Sequence, residues 1–150
     1  MSSREYPDRP LVGIGVVVLS PSGVLMIRRG KPPRVGGWSL PGGAQKVGET
    51  VADAARREVR EETGLEVEVL GLVDVIDSIN PDAKGAVQYH YTLVDFMARP
   101  IGGTLKSGGD AMDAQWIAYD ALPELSLWSE TERVIALARE MAAALPDELA

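Results

Sequence analysis

Residues 43–65 read GAQKVGETVADAARREVREETGL, and this stretch decides the fold because it predicts a helix with both ends and two faces marked. Thr50 is a natural N-cap, with Asp53 three residues on in a variant of the capping box. Gly64 stands where a left-handed C-cap residue belongs. Between them Val51, Ala55 and Val59 recur every four residues, a stripe suited to packing on a sheet. Glu58, Glu61 and Glu62 fall three and four apart, so their carboxylates share a different side. In isolation that acidic side is unfavourable. Like charges at this spacing repel by a few tenths of a kcal/mol per pair, and the negative end of the helix dipole disfavours each anion by about 0.3–1 kcal/mol. A helix selected for stability alone would carry such residues in its first turn. One compensation is a solvated face neutralised by Arg56, Arg57 and Arg60. The other is a hard, oxygen-seeking divalent cation such as Mg²⁺.

Working outward, residues 11–19 (LVGIGVVVL) form a β-branched apolar run closed by a Ser-Pro-Ser-Gly turn, and residues 24–27 predict the returning strand. Residues 1–10 are a polar arm. Residues 31–37 (KPPRVGG) are a loop, and the short apolar piece 38–40 leads into Pro41-Gly42-Gly43. Trp38 is read as a core anchor rather than a substrate platform. Downstream, residues 66–75 predict a strand, 78–85 a loop, 86–97 a strand, 100–109 a glycine-rich loop and 114–118 a strand. His90, the only histidine, sits among large strand residues and is read as a packed side chain, not a base. Ser129 with Glu132 predicts the capping box of a last helix, whose apolar positions include Val134, Ile135, Ala138 and Met141. The order β-β-β-α-β-β-β-α predicts an α/β (α+β) fold, a mixed β-sheet sandwiched between helices.

Composition narrows the function. The 150 residues include no cysteine, which excludes thiolate nucleophiles and cysteine-bound metals and fits a reducing, cytoplasmic setting. The N-terminus lacks the apolar core of a signal peptide, and no stretch approaches the ~20 apolar residues of a membrane span. A net charge of −7 argues against nucleic acid as a partner. An anionic small molecule would need local positive charge, and Arg28, Arg29, Lys31 and Arg34 supply a basic cluster just upstream of the acidic helix. There is neither a dinucleotide-binding glycine fingerprint nor a P-loop.

The fixed positions Gly43, Glu49, Arg57, Glu58, Val59, Glu61, Glu62, Gly64 and Leu65 resemble, with their spacing, the signature of the Nudix hydrolases. A looser likeness runs through residues 116–123 (WIAYDALP), so that a Nudix domain would occupy 11–145. The resemblance implies an α/β/α sandwich and a metal-dependent enzyme that hydrolyses a nucleoside diphosphate linked to another moiety, with Mg²⁺ or Mn²⁺ as cofactor. It makes Glu58, Glu61, Glu62 and the carbonyl of Gly42 the metal ligands, and pairs Arg57 with Glu49 to hold them. Glu58 is then the first candidate for general base. Asp110, with Asp113 as its neighbour on the later loop, is the second.

For the substrate, the resemblance favours ADP-ribose or a related ADP-sugar, which would yield AMP and a sugar phosphate. Pro81, 16 residues beyond Leu65, is a mark of that branch, and the segment 28–43, with Arg28, Arg29, Arg34 and Gly43 as substrate contacts, looks like it too. Two alternatives stand beside this reading. One is a (deoxy)nucleoside triphosphate pyrophosphatase that sanitises oxidised nucleotides; the other is a non-catalytic nucleotide-sugar sensor. Family resemblance also favours a homodimer.

Overall fold

The computed structural model describes residues 4–32 and 34–146. The apolar run that opens the domain serves two cores at once. Strand β1 (Leu11–Val18) sends Ile14, Val16 and Val18 into one buried cluster and Val17 into another, as two-residue alternation requires when both faces of a sheet are covered. β2 (Gly23–Arg29) divides in the same way, with Leu25 on one side and Val24 and Met26 on the other.

β1 lies between β4 (Gly42–Ala44), which runs antiparallel to it, and β6 (Val87–Gly103), which runs parallel. β5 (Leu65–Pro81) completes a mixed four-stranded sheet of order β4-β1-β6-β5. β2, β3 (Trp38–Ser39) and β7 (Ala111–Ala118) form a second, antiparallel sheet of order β3-β2-β7. Helix α1 (Val51–Thr63) supplies Ala54, Ala55 and Val59 to the first cluster. Helix α2 (Ser129–Ala143), reached through a 3₁₀ turn at Tyr119–Leu125, supplies Val134, Ile135 and Ala138 to the second. The helices therefore cover opposite sides of the sheets, giving the mixed α+β sandwich.

Strand lengths differ from the sequence expectation. β5 and β6 each continue for 17 residues, absorbing part of both expected loops, 78–85 and 100–109. Four register shifts interrupt their pairing, and such irregularities let a long ribbon twist. Pro81 ends β5, an edge strand where a missing N–H is tolerated. The turn between them is closed by Asp82, whose side chain accepts the N–H groups of Lys84 and Ala86. Within the expected arm, Tyr6 donates its backbone N–H to the Gln88 carbonyl and its hydroxyl to Asp82. Met1, Ser2 and Ser3 lie outside the described residues.

The two helices begin differently. Thr50 accepts the Asp53 N–H at 3.0 Å, and Gly64 takes φ 76° while donating to the Arg60 carbonyl. The expected cap at Ser129 is replaced: Trp128 occupies the N-cap position, with no side-chain hydrogen bond, and Ser129 is already helical.

Candidate active site

The acidic end of α1 is held by one guanidinium. Arg57 grips Glu49 with two bonds, Nε to Oε2 at 2.6 Å and Nη2 to Oε1 at 3.0 Å. The same side chain donates to the Ala44 carbonyl, to Glu58 at 2.7 Å and to Glu61 at 3.0 Å. Glu49 also accepts the Lys46 N–H, and these donors pull its carboxyl down to about 2. Helix α1 and the loop before it are thus tied by a planar, bidentate contact that a lysine could not reproduce.

Arg57 also gathers two of the three helix carboxylates on one nitrogen, Nη1, and leaves the third apart. Glu58 and Glu61 lean towards it, and Glu62 turns inward, only 4% exposed, accepting the Gly42 N–H at 2.8 Å. Glu58 lies over Gly43 so closely that a methyl group there would stand 2.5 Å from its carboxylate. Glycine is needed at that point for space. Burial raises the Glu58 carboxyl, partly opposed by Arg57. Burial also pushes Glu62 up to about 8, and the charges of Glu58 and Asp110 add to the rise while Arg29 opposes it.

Among the described residues, no three acidic or histidine side chains already stand together as a metal cluster. The donor chemistry nevertheless fits a hard divalent cation. A buried carboxylate with further carboxylates beside it must either keep its proton or meet positive charge, and all the candidate donors are oxygens.

Glu62 opens onto a cavity of about 430 Å³. Gly42 and Gly43 line it beside Glu62, and Arg29, Lys31, Arg34 and Asp110 add charge. Lys31 pairs with Asp110 at 3.1 Å, so the later-loop carboxylate is already partnered. Asp113 does not line the cavity; it accepts the Ala114 N–H and a bond from Gln115. An apolar wall comes from Trp38, Leu40, Leu93 and Trp128, all packed on the cluster around α2. Trp38 therefore serves the core and the cavity together.

Two expected substrate contacts are not brought there. Arg28 precedes Arg29 on β2 and so points the opposite way; it donates to the Gly36 carbonyl outside the cavity. Pro81 is exposed at the tip of the β5–β6 ribbon, while Ile79 and Asn80 reach the cavity instead. His90 sits opposite Ile79 on β6 and does not line it. Sequence reasoning missed Tyr91, Asp95 and Trp128. The legible signal was an aspartate inside an apolar strand and a tryptophan just before a helix.

Residues 9–138 match the NUDIX domain family. The chain is a Nudix hydrolase. Nudix hydrolases act on small nucleotide substrates with the aid of divalent metal ions. Among relatives, the chain is 36% identical over 126 residues to an ADP-ribose pyrophosphatase of Methanocaldococcus jannaschii, covering 84% of this chain and 71% of that one. It is 38% identical over 104 residues to the 8-oxo-dGDP phosphatase NUDT18 of Mus musculus, covering 67% of this chain and 29% of that one. In structure it resembles a MutT Nudix hydrolase from Burkholderia pseudomallei, with a TM-score of 0.75, 30% identity and coverage of 87% and 98%. No helix of the described residues is long and apolar enough to cross a membrane.

Proposed function

We propose that this Nudix hydrolase cleaves the diphosphate of ADP-ribose or a related ADP-sugar, giving AMP and a sugar phosphate. The observation that carries the reading is the composition of the cavity: a buried carboxylate of α1, a cationic group of Arg29, Lys31 and Arg34, and an apolar wall share one space. Its volume lies in the range of small-molecule sites, and identity to an ADP-ribose pyrophosphatase supports the choice of substrate.

In this reading Glu58, Glu61, Glu62 and the Gly42 carbonyl hold Mg²⁺ or Mn²⁺. The bound ion supplies charge neutralisation at the diphosphate and a lowered pKa for water. Arg57 and Glu49 fix the helix end from which these carboxylates project. Arg29 and Arg34 bind diphosphate oxygens, and Gly43 leaves room for Glu58 beneath them. Glu58 takes the proton of the attacking water as the bond from phosphorus to its bridging oxygen breaks. Asp110 is the second candidate for that proton, once substrate draws Lys31 away.

A specific observation favours a second reading. Pro81 stands outside the cavity, and the chain also resembles an 8-oxo-dGDP phosphatase; hydrolysis of oxidised (deoxy)nucleotides is therefore the runner-up. A product assay with Mg²⁺ decides. AMP from ADP-ribose, well above any rate on normal or oxidised deoxynucleotides, is expected. Faster release of phosphate or pyrophosphate from the deoxynucleotides would overturn the first reading, and no turnover of anything would favour a sensor.

A further inference from the structure

Asp95 is an acidic residue in the middle of an apolar strand, and the hydrolytic chemistry does not use it. It is 5% exposed, and no donor among the described residues hydrogen-bonds it. The surrounding charges are those of Asp74 and Arg133, themselves paired at 2.8 Å. Burial pushes its carboxyl up to about 6. Such a group is costly to leave without a partner, yet it faces the cavity, where a ligand can supply one.

Its position is built by the sheet. Gly42, Gly15 and Asp95 stand in register across β4, β1 and β6, so the Asp95 backbone lies two strand spacings, roughly 10 Å, from that of Gly42, and its carboxylate leans back over Gly15. A methyl on Gly15 would come within 2.3 Å of Oδ1 of Asp95 and 3.8 Å of Leu40. Glycine at position 15 thus leaves the space in which the carboxylate lies beside the apolar wall. Leu40, Leu93, Trp38 and Trp128 form that wall. A carboxylate acceptor set beside flat and aliphatic surfaces suits a flat ring that carries N–H donors on its edge.

We propose that Asp95 is a specificity-determining residue that accepts a hydrogen bond from the amino edge of the substrate's nucleobase. The inference rests on the diphosphate-hydrolase reading of the cavity. It makes the enzyme a reader of the base as well as of the diphosphate. A sugar-directed role would instead leave the base unread.

The test compares ADP-ribose with its analogue lacking the 6-amino group, in the wild-type protein and in Asp95→Leu. Wild type is expected to favour ADP-ribose by roughly 10–100-fold in kcat/KM, the worth of one hydrogen bond to a charged group. Asp95→Leu, close in volume but without an acceptor, should lose most of that preference while its melting temperature holds or rises, because a buried carboxylate has been replaced by an apolar group of similar shape. A lower melting temperature with unchanged substrate preference would overturn the proposal in favour of a structural role. An equal loss on both substrates would overturn the assignment to the base. Competition against wild type gives a reading that needs no variant: AMP should outcompete purine riboside 5′-monophosphate by a similar factor, and equal competition would overturn the proposal. A wild-type protein inactive on ADP-ribose would overturn the functional reading, and this inference with it.

Discussion

The acidic wall of the cavity and its apolar wall are assembled in opposite ways. The acidic wall is Glu62 with Gly42, Gly43 and Ala44, and it comes from one continuous stretch, braced from outside the cavity by Arg57 with Glu49 and Glu58. The apolar wall is gathered from β3, β6, the segment before α2 and the loop at Leu40. The first is set by helix periodicity, a cap at each end and one bidentate ion pair. The second exists only once two sheets and a distant helix have packed. Chemistry built locally can stay constant while scattered residues change the substrate it serves. The two walls should therefore fail differently when mutated.

The largest effect is expected at Glu62. Glu62→Gln keeps the volume and an acceptor for the Gly42 N–H but removes the charge, and should reduce metal-dependent kcat/KM by more than about 100-fold, beyond the usual loss for a residue that merely supports a ligand. Assay at saturating Mg²⁺ checks this; full activity would remove Glu62 from the metal site. The same residue carries a pH signature. Its folded value of about 8 lies above the ordinary 4.5, so the folded protein holds a proton that the unfolded chain releases. Stability of the metal-free protein should then fall as pH rises from about 4.5 to about 8. Thermal melts in EDTA across that window should show the decline, Mg²⁺ should reverse it, and Glu62→Gln should flatten it.

Arg57→Lys comes next. Lysine keeps the charge but cannot bond Glu49 through two nitrogens while also reaching Glu58 and the Ala44 carbonyl. A 10–100-fold loss in kcat/KM is expected, with a higher Mg²⁺ concentration needed for half-maximal rate. Unchanged metal dependence would mean that the guanidinium braces the helix without setting its carboxylates.

The contrast between the walls also explains what could be read in advance. Thr50, Gly64 and the Val51-Ala55-Val59 stripe announced α1, because caps and periodicity act within a few residues. Arg29 and Asp110 were legible as charges near the signature. Arg28 was misplaced because adjacent strand residues face opposite ways, and a basic cluster does not reveal which of its members points inward. Trp128 and Asp95 looked like ordinary members of a helix start and a strand. Only the pairing of β6 with β1 and the packing of α2 bring them to the cavity, and such long-range contacts leave no local periodicity. Ser129 shows the same limit on a smaller scale: a serine with Glu132 three residues on fits a capping box, yet the chain enters the helix one residue earlier.

Trp128→Ala probes the scattered wall. Its ring carries the Arg34 guanidinium 5.8 Å from its centroid and bounds the cavity. Loss of a stacking surface for a base should raise KM roughly 10-fold, the low end of what an aromatic platform contributes, and leave kcat nearly unchanged. A fall in kcat with constant KM would move Trp128 from substrate binding to the positioning of reacting groups.

The smallest effect separates folding from catalysis at the acidic wall itself. Thr50→Ala removes the acceptor of the Asp53 N–H and should lower stability by about 1 kcal/mol. Ser129→Ala should cost close to nothing, since α2 has no side-chain cap to lose. Equilibrium denaturation of the two variants measures the difference directly. Because Arg57 and Glu49 hold α1 to its preceding loop independently of the cap, Thr50→Ala should leave kcat/KM and the Mg²⁺ requirement intact. A coupled loss of activity would show that the first turn of α1, and not the guanidinium near its middle, fixes where the carboxylates stand.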